Sequence, residues 1–416
     1  MARLGASLVL LLATTSCSLL PGDDPSTTTS STVAPSAPTA VVTELRRVLD
    51  RRAESLLARD RTAFERTLTT AQTDAAFARE QATYFDNLAQ LPLAELAYTV
   101  RAQDLVREGD AYRVVVATSL QLDGFDAVPV TTRDRFLFVP GRRDGVLRIA
   151  STSDPEWEQR NGAGLQPWDL GPIEVRNEAG ILTILDAGSA ARAADLLYSV
   201  RRGIADVSAL VPYDWSHTVV VYALSDPAFL DSIEDPPGGD PELLDGVAFP
   251  VYADAPDGGA PVLASMRFAL NPRTLGQVGP EVDRLVRHEL THVALGEHDD
   301  QVPVWLSEGL AEYVSAQPMA PEDRSLPTAA LAFAEAQPTT MPADETFNDA
   351  DAGEHYGLAW WACEYLASSY GPDVLWSLLD ALADGSDPDT ALQDRVGLDQ
   401  AHLARRAARL LVATYR

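Results

Sequence analysis

From residue 41 the hydrophobic positions fall first into helical and then into strand-like spacing. Leu45, Val48, Leu49, Leu56 and Leu57 include three- and four-residue intervals among Arg and Glu, which predicts an amphipathic helix. Shorter helical stretches follow over 62–68 and 74–88, and Pro92 punctuates them. Residues 96–104, 111–122, 131–139 and 146–151 then read as strands, separated by Gly109, Gly124 and Gly141. Helices followed by a block of strands predict an α+β layout. A Gly/Pro/Trp-rich join spans 157–172. Beyond it come short strands over 173–176 and 181–185 and a helix over 194–207. The β-branched run Thr218-Val219-Val220-Val221-Tyr222 predicts a buried strand. Residues 231–261, rich in Pro, Gly and Asp, read mostly as a long loop, and 262–270 as another strand. Almost everything beyond Pro280 reads as helix. No internal repeat of the 20–50 residue kind interrupts this order.

The first forty residues follow other rules. Arg3 precedes the apolar run Leu8-Val9-Leu10-Leu11-Leu12-Ala13, too short for a permanent membrane span of about 20 residues. A basic start, a short apolar run and small residues describe a secretory signal over 1–16. Thr14-Thr15-Ser16 lead into Cys17, which resembles the lipobox of bacterial lipoproteins, although Thr14 stands where that box carries an aliphatic residue. The resemblance implies lipidation of Cys17, a membrane anchor and an extracytoplasmic location. The rival reading is a plain cleavage site with an incidental cysteine. The Ser/Thr/Pro/Ala tract to residue 40 buries nothing and reads as a disordered tether.

Composition narrows the partners. The chain has 416 residues and a formal net charge of −29, and all 32 of its basic residues are Arg. Such acidity excludes sequence-independent nucleic-acid binding, which needs clustered cations against phosphate. The two cysteines, Cys17 and Cys363, exclude a disulfide framework and a cysteine zinc cluster. Cys363 reads as a small buried hydrophobe.

The sharpest motif is His288-Glu289-Leu290-Thr291-His292, which holds two of only six histidines. Positions i and i+4 share a helix face, so both imidazoles can meet one zinc ion. Glu289 adjoins that face and can take a proton from the water such a metal activates. Pro280 suits the first turn of this helix, and Gly296 suits its stop. The next helix carries Val304-Trp305-Leu306-Ser307-Glu308-Gly309-Leu310-Ala311-Glu312-Tyr313. Glu308 is the natural third ligand, and Glu312, one turn on, can accept from the far nitrogen of a ligating histidine. The alternative makes both glutamates a solvated helix edge, against which Trp305 and Leu306 argue.

This combination resembles the gluzincin metallopeptidases, and in particular compact MA-like peptidase domains of exported bacterial proteins. The resemblance covers about 165–416. It implies a zincin-type, mostly helical domain with a small sheet, Zn2+ as cofactor, and a peptide or protein substrate. It also implies that Tyr356, ten residues before Leu366 on a later helix, donates a hydrogen bond to the developing oxyanion; His355 is a second candidate for that role. By position, the strand over 264–271 would be the substrate-binding edge. The Glu-bearing motif with which large aminopeptidases hold a free amino terminus is missing from it, which favours endopeptidase action, although Glu242 or Asp245 could substitute. Residues 41–155 resemble the NTF2-like cone fold in pattern alone. Domains of that fold can hold a ligand, but no convergent polar cluster is visible in this sequence, so it reads as structural. A different class stays open: a non-catalytic surface lipoprotein that binds a ligand or partner and carries a structural or vestigial zinc site. Oligomeric state is not encoded in any of these features.

Overall fold

Apolar stripes and aspartate caps set the first helices in the computed structural model. It describes residues 39–416 apart from 71–73, 163–164, 234–238, 240–242, 256–257 and 278. The leader, the tether, Cys17 and Glu242 lie outside the described residues. Helix α1 (Thr39–Leu57) buries Leu45, Val48, Leu49 and Leu56, the stripe its spacing predicts. Asp60 and Asp74 accept backbone N–H groups at the starts of α2 (Arg61–Glu65) and α3 (Ala75–Leu88). Strands β1 (Leu93–Val100), β2 (Val106–Glu108), β3 (Ala111–Leu122), β4 (Val130–Pro140) and β5 (Leu147–Ser151) make an antiparallel sheet. Its order is β1-β3-β4-β5, with β2 beside β3. The first strand ends at Val100 rather than at 104, because a 3-10 turn takes Ala102–Asp104. The short helices α4 (Pro155–Asn161) and α5 (Pro167–Leu170) lead out of this half.

The second half opens with β6 (Ile173–Glu178), β7 (Ile181–Asp186), α6 (Ala193–Ser208) and β8 (Val219–Ala223). Strands β9 (Gly246–Ala253) and β10 (Val262–Leu270) follow. They form a mixed sheet of order β6-β7-β8-β10-β9, in which β7, β8 and β10 run parallel and the outer pairs antiparallel. Seven helices complete the chain: α7 (Pro280–Leu295), α8 (Val304–Ala316), α9 (Thr328–Glu335), α10 (Ala352–Tyr370), α11 (Asp373–Ala383), α12 (Pro388–Val396) and α13 (Gln400–Tyr415). The whole is mixed α+β with a helical C-terminal part.

Two sequence expectations are corrected here. The stretch 231–261 contains β9, whose Gly246-Val247-Ala248-Phe249 start is masked in composition by Pro, Gly and Asp on both sides. The expected edge strand at 264–271 is interior, because β10 lies between β8 and β9. The free edge beside the helices belongs to β9, and Pro250 within it fits an edge, where a missing N–H costs least.

The second sheet is buried on both faces, which explains why β8 is buried at every position and β7 at all but its last. One apolar cluster joins Val219, Val221 and Phe268 to α6, α7, α8 and α10. The other joins Leu182, Val220, Tyr222, Val247 and Phe249 to α1, α3 and the first sheet. Residues Ala37–Arg416 accordingly form one compact unit. A buried pair ties the two sheets: Arg267 on β10 reaches Asp126, in the β3–β4 turn, at 2.6 Å and the Tyr222 hydroxyl at 2.5 Å. Along β9 the residues alternate, so Ala248 packs with the helical cluster while Val247 and Phe249 pack with the first half.

Candidate metal centre

Helix α7 builds the site from local rules. Pro280 occupies its first turn, Gly296 ends it at φ +57°, and its buried face carries His288 and His292 one turn apart. Helix α8 packs against α7 and presents Glu308. Gly309 lets α10 close in behind it: a Cβ there would lie 2.6 Å from the Ala359 carbonyl oxygen and 3.0 Å from Cys363 Sγ. That close approach carries Tyr356 toward Glu308.

The three expected ligands converge. His288 Nε2 lies 3.2 Å from Glu308 Oε2 and 3.4 Å from His292 Nε2, and His292 Nε2 lies 3.6 Å from Glu308 Oε2. A tetrahedral ion with bonds of about 2.0–2.2 Å sets its ligand atoms about 3.3–3.6 Å apart. Glu308 Oε2 is buried and has no hydrogen-bond partner of proper geometry, so its lone pairs face the two nitrogens unsatisfied. His288, His292 and Glu308 are close enough to bind a metal.

Carboxylates behind the ligands fix the tautomers. Glu312 lies 3.1 Å from His288 Nδ1, and Asp299 lies 3.1 Å from His292 Nδ1. A carboxylate accepts, so both Nδ1 atoms donate, which leaves each Nε2 lone pair for the metal. Ser307 donates to Asp299 at 2.7 Å, and Arg284 pairs with Glu312 while lying 4.4 Å above the Trp360 ring. The motif spacing brought Glu312 to attention but not Asp299, Ser307 or Arg284. Two signals were present: Arg284 precedes His288 by one helical turn, and Asp299 follows the Gly296 stop by three residues.

The ionisation of the cluster matches a cation site. Burial pulls His288 down, but Glu308 and Glu312 outweigh it and raise it to about 9. Burial likewise opposes His292, and Glu308 and Asp299 hold it well above its usual range. Burial pushes Glu308 up, yet the two imidazoles keep it well below the usual carboxylate range. Without a metal, protons on the imidazoles balance the carboxylates; a divalent ion performs the same task with neutral histidines.

Glu289 faces the other way, toward the sheet edge. A Cβ at Gly246 would lie 2.8 Å from Glu289 Oε1, and the Ala248 N–H of β9 donates to the carboxylate. Burial pushes the Glu289 carboxyl up. Tyr356 donates its hydroxyl to Glu308, and its ring meets Phe347 edge-on at 5.0 Å. Burial, followed by Glu308, raises the phenol well above its usual range. His355 instead donates Nδ1–H to the Phe347 carbonyl at 2.9 Å. Asp245 is held by Arg273 at 2.9 Å. Trp360 and Cys363 are core residues, and burial pushes the Cys363 thiol upward.

Two histidines and a glutamate on adjacent helices, with a buried glutamate beside them, form a candidate metal centre. Residues 269–413 match the family model described as Peptidase MA superfamily, a superfamily that is typically metal-dependent. The matched segment contains all three candidate ligands, Glu289, Glu312 and Tyr356, and supports a zincin-like peptidase domain there. No curated protein matches the chain.

Proposed function

We propose that the chain is a zinc-dependent peptidase of gluzincin type. The reading rests on one observation above all: three ligand atoms 3.2–3.6 Å apart, with a buried carboxylate beside them at a free sheet edge. His288, His292 and Glu308 would hold Zn2+, which supplies a Lewis acid that polarises a peptide carbonyl and acidifies water. Glu289 takes the proton from the attacking water. Its burial-raised carboxyl then keeps that proton long enough to hand it to the leaving amine. Tyr356, already a donor inside the cluster, turns its hydroxyl to the carbonyl oxygen as negative charge develops there. Glu312 and Asp299 hold the imidazoles in place throughout. The free edge of β9 offers backbone groups to an extended peptide. Endopeptidase action is preferred, since Asp245 is engaged by Arg273 and offers no ready partner for a free amino terminus.

Further parts of the proposal rest on sequence. Residues 41–155, helices over an antiparallel sheet, are read as NTF2-like. Export over 1–16 and lipid attachment at Cys17 would place the enzyme on the extracytoplasmic face of the membrane; among the described residues no helix is long and apolar enough to cross one.

The test is metal analysis and peptide-library hydrolysis on the purified chain. Wild type should carry one equivalent of zinc, lost in His292→Ala. Glu289→Gln should keep the metal and lose turnover. Undiminished hydrolysis by Glu289→Gln would refute the mechanism, and metal without hydrolysis in wild type would favour the non-catalytic alternative.

A further inference from the structure

A cavity lies away from the metal centre. It encloses about 660 Å³ between the first sheet and the face of the second sheet that β8, β9 and β10 turn toward it. That is the size of a site for a small organic molecule. No ligand of the metal centre lines it.

Its wall has an unusual charge. Glu80 on α3, Asp134 on β4, Glu158 on α4 and Asp169 on α5 all line it. Among the described residues none of the four has an Arg or His within ion-pair distance, and the chain contains no lysine to supply one. Among the described residues the Asp134 carboxylate has no hydrogen-bond donor, and the Asp169 carboxylate accepts only the Gln166 N–H, at 3.1 Å. Asp169 is exposed, and it is one of the residues that line the cavity. Burial, then Glu158, raises the Asp134 carboxyl to about 6. Burial, then Asp134, raises Asp169 to about 7. These two groups lack a neighbouring cation.

The two guanidinium groups on the wall are committed elsewhere. Arg267 serves Asp126 and Tyr222. Arg52 donates to Gln81 at 2.6 Å and lies 4.5 Å from the centre of the Phe64 ring. Its Nε and Nη1 have no partner, but both are buried without open surface, so neither can reach a ligand. The remaining wall is aromatic and aliphatic, with Phe136, Trp168, Tyr222 and Phe249 among its residues. Ring faces attract cations, most strongly where water is excluded.

We propose that this cavity binds a small organic cation, an amine or guanidinium carried on an apolar or aromatic body. The charged end would pair with Asp134 and Asp169, and the body would lie against the rings. The inference is independent of the peptidase reading.

Calorimetric titration of the purified chain with phenethylamine, 2-phenylethanol and 3-phenylpropionate tests it. These probes share a body and differ in charge. The amine should bind saturably at one site, at least tenfold tighter than the alcohol. The Asp134→Asn/Asp169→Asn double variant should lose at least tenfold for the amine while keeping its melting temperature and its affinity for the alcohol. Equal binding of amine and alcohol would reduce the site to an apolar hollow. Preference for the propionate would overturn the assignment of a cation to the site. Binding of no probe, or undiminished amine binding by the double variant, would equally overturn the proposal.

Discussion

Gly246→Ala should separate the proposed general base, Glu289, from the proposed metal site and from the fold. The new Cβ would stand 2.8 Å from Glu289 Oε1 and 3.2 Å from its Cδ and Cγ, while ordinary contact begins at 3.4 Å. Every atom it meets belongs to one side chain, so the glutamate can swing away and the backbone need not move. An off-rotamer swing costs about 0.5–1.5 kcal/mol. Gly246 lies outside the left-handed region, so alanine there recovers about 0.4–1 kcal/mol by restricting the unfolded chain. These contributions nearly cancel, and the melting temperature should hold. Catalysis should not, since misplacing a reacting group by about 1 Å can cost about 100-fold, equivalent to about 2.7 kcal/mol of barrier. The assay is hydrolysis of a library-selected peptide beside zinc content and a melting curve. The expected result is kcat lowered on the order of 100-fold with one zinc retained. Unchanged kcat would refute the placement of Glu289 against β9. Loss of metal together with activity would show that the substitution disturbs the ligands instead.

The same substitution at Gly309 should fail differently. Its Cβ would meet the Ala359 backbone oxygen at 2.6 Å, so α8 and α10 must part, and a loss of about 1–3 kcal/mol should appear as a lower melting temperature with or without metal. Asp299→Asn removes the carboxylate that orients His292 and should weaken zinc about 10–100-fold in a chelator competition, with little change in melting of the metal-free chain; unchanged affinity would mean that Ser307 suffices. The metal-free protein should lose stability as pH rises. His288 is raised from the ordinary 6.5 to about 9, so its protonated pairing contributes fully below 6.5 and is lost on passing through 9. Thermal melts across that window should fall for the metal-free chain more than for the zinc-loaded one, and parallel curves would contradict the assignment.

The legible parts of this protein were the local ones. A four-residue spacing between His288 and His292 fixes their common face on any helix, and Pro280 and Gly296 bound that helix by backbone rules. Glu308 could be proposed because it follows within one helical hairpin, and Glu312 because it lies one turn further. The β-branched run at 218–222 was an equally short-range signal. Other features depended on how separate elements pack. Strand β9 was hidden because composition over 231–261 averages a short strand with its flanking turns. The edge role at 264–271 failed because strand order is a long-range property: β10 is followed in sequence by the metal helix but is covered in space by β9. Asp299 and Arg284 are ordinary surface-type residues until packing turns them onto the imidazole and the carboxylate. The acidic cavity is the strongest case. Glu80, Asp134, Glu158 and Asp169 come from four different elements, and no periodicity in the chain relates them. Sequence alone determined which residues could share a helix face and so carry a metal. Only the tertiary structure decided what stands behind those ligands, which strand borders the base, and where unpaired charge collects, because those contacts join residues whose separation along the chain exceeds any local repeat.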